Sequence, residues 1–105
     1  MDELTVEELK SKIENSEPFT LLDVREPHEY FMSDLEGTTR IPMDELKNRL
    51  NELEKDEEII VMCRSGNRSA NAAKMLLENG YKKAFNLKGG INEWAKKIDP
   101  TLPEY

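Results

Sequence analysis

Apolar residues recur along this chain with two alternating periods, one helical and one extended. Thr5-Val6-Glu7-Glu8 has the form of a capping box, with Thr5 as N-cap and Glu8 reaching back to it. Val6, Leu9 and Ile13 follow at helical spacing, which predicts a helix to about Glu14. Asn15 to Pro18 breaks it, and Phe19 to Val24 is a short apolar run with a polar end, the pattern of a buried strand. Pro27 is placed to open a short helix through Glu29, Tyr30 and Phe31. Gly37 marks a turn, Thr38 to Ile41 reads as a short strand, and Pro42 stops it. Met43, Leu46, Leu50 and Leu53 then form one stripe of an amphipathic helix. After the acidic turn Glu54 to Glu58, the uninterrupted run Ile59-Ile60-Val61-Met62 reads as the central strand. Ser69 opens a further helix with Ala73, Leu76 and Leu77 inward, stopped at Asn79-Gly80. Ala84 to Leu87 gives another strand, and Gly89-Gly90 leads into a last helix carrying Ile91, Trp94 and Ala95.

Strands alternating with helices imply crossover units and a mostly parallel sheet covered on both faces. The expected architecture is therefore α/β, in a single domain spanning residues 1–105. The tail from Asp99 to Tyr105 has no periodicity and either packs across the domain or frays.

Composition narrows the function classes. A formal net charge of −7 argues against general affinity for nucleic acid or an anionic membrane. No apolar run approaches a bilayer span, and Met1-Asp2-Glu3 is acidic where a signal peptide is basic, so a cytoplasmic protein is expected. Charge is uneven: residues 1–58 carry 18 acids and 7 bases, residues 59–105 carry 4 and 8. Between Ile59 and Gly90 only Glu78 is acidic, so a positive field is expected around whatever sits there. The single cysteine, Cys63, excludes an internal disulfide and is either a buried filler or a working group.

The segment Cys63-Arg64-Ser65-Gly66-Asn67-Arg68-Ser69 decides between those two. A cysteine ends a buried strand, a short loop follows with no apolar side chain to pack against it, and a helix begins at once. Ligands of open parallel sheets bind at the carboxyl ends of strands. A helix N-terminus adds unpaired N–H groups and partial positive charge, and a glycine lets successive amides curl into an anion-holding bowl. Such surroundings lower a thiol pKa, so Cys63 is expected to be largely thiolate at neutral pH. Arg68 can add paired hydrogen bonds to an anionic substrate, while Arg64 points outward to meet it on approach.

The chain resembles the single-domain rhodanese-homology (thiosulfate sulfurtransferase-like) family. Leu22-Asp23-Val24-Arg25-Glu26-Pro27-His28-Glu29-Tyr30, Ile41-Pro42 with Asp44-Glu45-Leu46, the loop Cys63 to Ser69, and Leu87-Lys88-Gly89-Gly90 with Trp94 match the family's four blocks in order. The resemblance implies an α/β fold with a five-stranded, mostly parallel sheet and helices on both faces, and sulfur transfer through a Cys63 persulfide. The donor would be a small anion such as thiosulfate, the acceptor a thiol or a protein, and no metal or other cofactor would take part. It further implies that the amides of Arg64, Ser65, Gly66, Asn67, Arg68 and Ser69 hold the persulfide, that Asp23 and Arg25 are supports near the site, and that Arg25 pairs with Glu29. Two places depart from the pattern: Ser33-Asp34 stands where the family often has Gly-His, and Thr38-Thr39-Arg40 replaces a small residue and Asn.

Other readings fit less well. Cysteine phosphatases and the arsenate reductases related to them place the arginine one position further from the cysteine, and the tighter ring here suits a lone sulfur better than a tetrahedral oxyanion. A non-catalytic rhodanese-like docking module usually lacks the cysteine. A protein-to-protein persulfide carrier with little thiosulfate turnover keeps it. His28, the only histidine, follows Pro27 on an expected surface helix and supports neither zinc nor a Cys–His pair. Gly89-Gly90 lacks the spacing and lysine of a phosphate loop and reads as a close turn beside the site.

Overall fold

A computed structural model describes residues 2–105. Strand β1 (Asp2–Leu4) leads into helix α1 (Val6–Glu14), followed by β2 (Thr20–Asp23), a 3₁₀ helix (Pro27–Phe31) and β3 (Thr38–Arg40). Helix α2 (Met43–Leu46) continues as 3₁₀ turns over Lys47–Glu52, and β4 (Ile59–Met62), α3 (Asn67–Glu78), β5 (Ala84–Leu87) and α4 (Gly90–Lys97) complete the chain. The five strands form one sheet in the order β1-β5-β4-β2-β3, with every pairing parallel.

Strand β4 lies at the centre because all four of its side chains can be buried, two on each face. Ile59 and Val61 join Leu22, Leu46 and Leu76 under α2 and α3. Ile60 and Met62 join Leu9, Leu21 and Trp94 under α1 and α4. Full burial of one such side chain stabilises by about 1.5–3 kcal/mol, so a strand apolar on both faces belongs nowhere but the middle. The Thr5–Glu8 capping box is present, and Thr5 draws the Glu8 carboxyl below its ordinary range. No helix among the described residues is long and apolar enough to cross a membrane.

Four local expectations are corrected. Strand β1 has no counterpart in the sequence reading, because two of its three residues are exposed and the segment shows no apolar run; its parallel pairing with β5 makes it a strand. The stripe from Met43 to Leu53 forms one α-helical turn and then 3₁₀ turns, with Leu46 and Leu53 buried and Met43 and Leu50 packed at the edge. Helix α3 starts at Asn67, not Ser69, since Gly66 adopts a left-handed φ of 102° and serves as its N-cap. Finally, Lys82 and Lys83 lie just before β5, at the opposite end of the parallel sheet from Cys63, so the basic half of the chain does not gather its charge at one site.

The candidate active site

Cys63 follows β4 directly and is 1% exposed, on the sheet face covered by α2 and α3. The turn after it is shaped from outside. The Ile91 amide donates to the Cys63 carbonyl at 2.9 Å and the Asn92 amide to the Arg64 carbonyl at 3.1 Å, so the first turn of α4 ties these two oxygens away from the thiol. The backbone approach is close: a Cβ on Gly90 would stand 2.5 Å from the Arg64 carbonyl oxygen and closer still to that of Cys63. Gly90 is thus the close turn expected of the glycine pair.

With the carbonyls turned out, amides turn in. The Gly66 N–H donates to Cys63 Sγ at 3.1 Å and the Ser69 N–H at 3.4 Å, while Ser69 Oγ lies 3.2 Å from the sulfur. Burial pushes the thiol pKa up. Against it stand the hydroxyl and amide of Ser69 and the amides of Gly66 and Ser65, and the balance holds the thiol below its ordinary value. The start of α3 supplies this environment, because Ser69 is in the helix's first turn where N–H groups have no intrahelical acceptor. Of the six loop residues proposed to hold substrate, Gly66 and Ser69 point hydrogen-bond donors at the sulfur. Arg64, Ser65 and Asn67 are exposed on the rim. The thiol is therefore not walled in by apolar groups alone.

Arg68 is engaged elsewhere. Its Nη1 and Nη2 donate to the two carboxylate oxygens of Glu29 at 2.6 and 2.8 Å. That pair, with the Glu26 amide and the Tyr105 hydroxyl, holds the Glu29 carboxyl down to about 2. The expected Arg25–Glu29 ion pair does not form. Arg25, fully buried, instead grips Asp23 through Nε at 3.0 Å and Nη2 at 2.9 Å, and reaches only the Glu29 backbone carbonyl, at 3.2 Å. Glu29 prefers Arg68 because α3 brings that guanidinium in with two parallel N–H bonds, and Asp23 has already neutralised Arg25. Asp23 and Arg25 stand as a buried ion pair at the end of β2, next to β4 in the sheet.

Two residues that sequence reasoning missed complete the site. Asn86, 2% exposed on β5, accepts from Ser69 Oγ at 2.5 Å and donates through Nδ2 to the Gly66 carbonyl at 3.2 Å and to Glu3 Oε2 at 3.3 Å. Its signal was present: a polar residue in a strand with both faces covered. Tyr105 had none. Its hydroxyl accepts from Arg25 Nη1 at 2.9 Å and donates to Glu29 Oε1 at 3.0 Å, and its ring lies 4.9 Å beneath the Arg64 guanidinium. The Asn92 side chain clamps the Tyr105 backbone with two hydrogen bonds of 3.0 and 3.1 Å. The tail packs across the domain.

The two departures from the family pattern meet in space. The Asp34 carboxylate binds the Arg40 guanidinium and lies 3.7 Å from Arg25, and Arg40 stacks 4.2 Å over the Tyr30 ring. Each substitution supplies the other's partner. Ligand atoms of Glu26, His28 and Glu29 come within 4.8 Å of one another, but Glu29 spends both oxygens on Arg68 and His28 is exposed, which leaves a cation too few donors.

Comparison with known proteins agrees with this geometry. Residues 5–97 match the model of the rhodanese-like domain. A sulfurtransferase of Allochromatium vinosum is 33% identical over 102 residues, covering 97% of this chain and 95% of that one. YrkF of Bacillus subtilis, a proposed sulfur carrier, is 37% identical over 97 residues; the match covers 92% of this chain but only 52% of that protein. Among solved structures, a rhodanese-like domain protein from Staphylococcus aureus superimposes with a TM-score of 0.84 at 36% identity, covering 90% of this chain and 91% of that one. The match of residues 5–97 to the rhodanese-like domain, the near full-length relative and the superposition on a rhodanese-like structure place this chain in the rhodanese-like family.

Proposed function

We propose that this protein is a sulfurtransferase in which Cys63 carries sulfane sulfur as a persulfide. The observation that carries the reading is the pair of N–H donors from Gly66 and Ser69 aimed at a thiol held below its ordinary pKa. The Cys63 thiolate attacks the outer sulfur of thiosulfate or of a persulfide donor. A new S–S bond forms, the donor's S–S bond breaks, and sulfite or the donor thiolate leaves with the electron pair. An acceptor thiolate, or cyanide in an assay, then attacks the outer sulfur of the persulfide, and Cys63 leaves as thiolate. The reaction is split into two easier displacements on one nucleophile.

A second reading is a protein-to-protein sulfur carrier with slow thiosulfate turnover. It draws support from the Glu29–Arg68 pair, which occupies the guanidinium that would otherwise recruit a small dianion and leaves Arg64 and the loop amides for that purpose. Intact mass after incubation with thiosulfate tests the chemistry. Gain of one sulfur atom, reversed by cyanide and absent in Cys63→Ser, is expected; loading that persists in Cys63→Ser defeats the proposal. Faster loading from a persulfidated protein than from thiosulfate selects the carrier.

A further inference from the structure

Between Cys63 Sγ and Ser69 Oγ, 3.2 Å apart, either atom can be the donor. Ser69 has a single hydroxyl proton, so its other partner decides the direction. That partner is Asn86 Oδ1, at 2.5 Å. The orientation of the Asn86 amide is itself determined by its surroundings. Its nitrogen faces the Gly66 carbonyl oxygen at 3.2 Å and Glu3 Oε2 at 3.3 Å, and a carbonyl and a carboxylate can only accept. The amide oxygen must therefore face Ser69, and only Ser69 has a proton to place between them.

We infer that Asn86 Oδ1 accepts the Ser69 hydroxyl hydrogen bond, so that Ser69 presents a lone pair to Cys63 and the resting sulfur is a thiol donating to it. Asn86 is then a positioning residue that opposes ionisation of the nucleophile. When Cys63 gives its proton to water, Ser69 can donate to the new thiolate only by breaking its bond to Asn86. That leaves Oδ1 of a residue 2% exposed without a donor. The Ser69 hydroxyl lowers the thiol only where it donates to the sulfur; with its proton turned to Asn86, the amides of Gly66, Ser69 and Ser65 are left to oppose burial.

Other charged and titratable groups surround the thiol from each neighbouring element. They are Arg68 on α3 with its partner Glu29, Asp44 on α2 and Glu26 lining one cavity with Arg68, Arg64 on the loop, the Asp23–Arg25 pair at the end of β2, Glu3 behind Asn86, and Tyr105 from the tail. None of their side chains is hydrogen-bonded to the sulfur. The inference deepens the proposed function and takes its importance from that reading, but its test is a titration that does not depend on turnover.

Thiolate absorbance in the ultraviolet, measured against pH on the full chain with the Cys63→Ser signal subtracted, gives the titration midpoint directly. Asn86→Leu frees the Ser69 hydroxyl for the sulfur, and the midpoint is expected to fall by about one pH unit, a tenfold rise in the thiolate-to-thiol ratio. The fall is expected to vanish when Ser69→Ala is added, and Ser69→Ala alone is expected not to raise the midpoint. A raised midpoint in Ser69→Ala, no fall in Asn86→Leu, or a fall that survives in the double variant overturns the inference. Should Asn86→Leu fail to fold, the direction of change in Ser69→Ala decides alone. Normal sulfur loading beside a contrary titration sinks the proton arrangement and spares the sulfurtransferase; the expected titration without sulfur loading does the opposite.

Discussion

Replacing Glu29 by Gln removes the one carboxylate that joins α3, the 3₁₀ helix after β2 and the tail. In the parent its oxygens accept from Arg68 at 2.6 and 2.8 Å, from the Glu26 amide at 2.9 Å and from the Tyr105 hydroxyl at 3.0 Å. The Glu29 side chain is 7% exposed, and its carboxyl is held from an ordinary 4.5 down to about 2. Integrating that difference gives about 3 kcal/mol of folding stability at neutral pH. Arg68 is 36% exposed, so solvent screens part of the interaction, and about 2 kcal/mol is the better expectation. For a chain of 105 residues this corresponds to a melting temperature lower by about 9 °C. The pH dependence carries the sharper test. A carboxylate with a depressed pKa contributes its full stability above 4.5 and loses it as pH falls through about 2. Urea unfolding of parent and variant, followed by circular dichroism, should therefore show a gap at about pH 7 that shrinks to under half by about pH 3. A gap that keeps its size on acidification, or a variant that melts with the parent, refutes the assignment of Glu29 as the strained-down carboxylate of this cluster.

Further outcomes follow from the same geometry. Arg68→Ala should strand Glu29, raise the thiol titration midpoint by removing a cation that favours the thiolate, and slow sulfur loading severalfold; an unchanged thiolate titration would show that the Glu29 pair already cancels the arginine's field. Gly90→Ala, at φ 64° and against the carbonyls of Cys63 and Arg64, should cost at least about 2 kcal/mol in urea unfolding. Tyr105→Phe deletes a hydroxyl held between Arg25 and Glu29 and should cost about 1 kcal/mol, while leaving the ring under Arg64 and the fold intact by circular dichroism.

Much of the site was legible because its chemistry is local in the chain. Cys63, Gly66 and Ser69 lie within one strand-loop-helix unit, and the physics that aims two amides at the sulfur is that of a helix's first turn. Arg68 shows where local reading stops. Its position five residues after the cysteine suggested a substrate ligand, but which anion it meets depends on Glu29, 39 positions away and delivered by a different element. The same holds for the Asp34–Arg40 pair: each residue alone looks like an unexplained departure, and only their meeting explains them.

The amino-acid sequence by itself determined the alternation of strands and helices, the central place of the run Ile59–Met62, the capping box at Thr5, and the thiol at the strand end. Periodicity, helix caps and apolar runs act over a turn or a few residues and can be read without knowing what lies opposite. Tertiary structure alone decided that Asp2–Leu4 pairs with β5, that Asn86 orients Ser69, that Glu29 takes Arg68 instead of Arg25, and that Tyr105 bridges Arg25 and Glu29. Those choices are made by polar groups seeking partners in a buried space. The winner among several acids and bases is set by which side chains the packed sheet and helices bring within hydrogen-bond reach, a quantity that no stretch of sequence carries on its own.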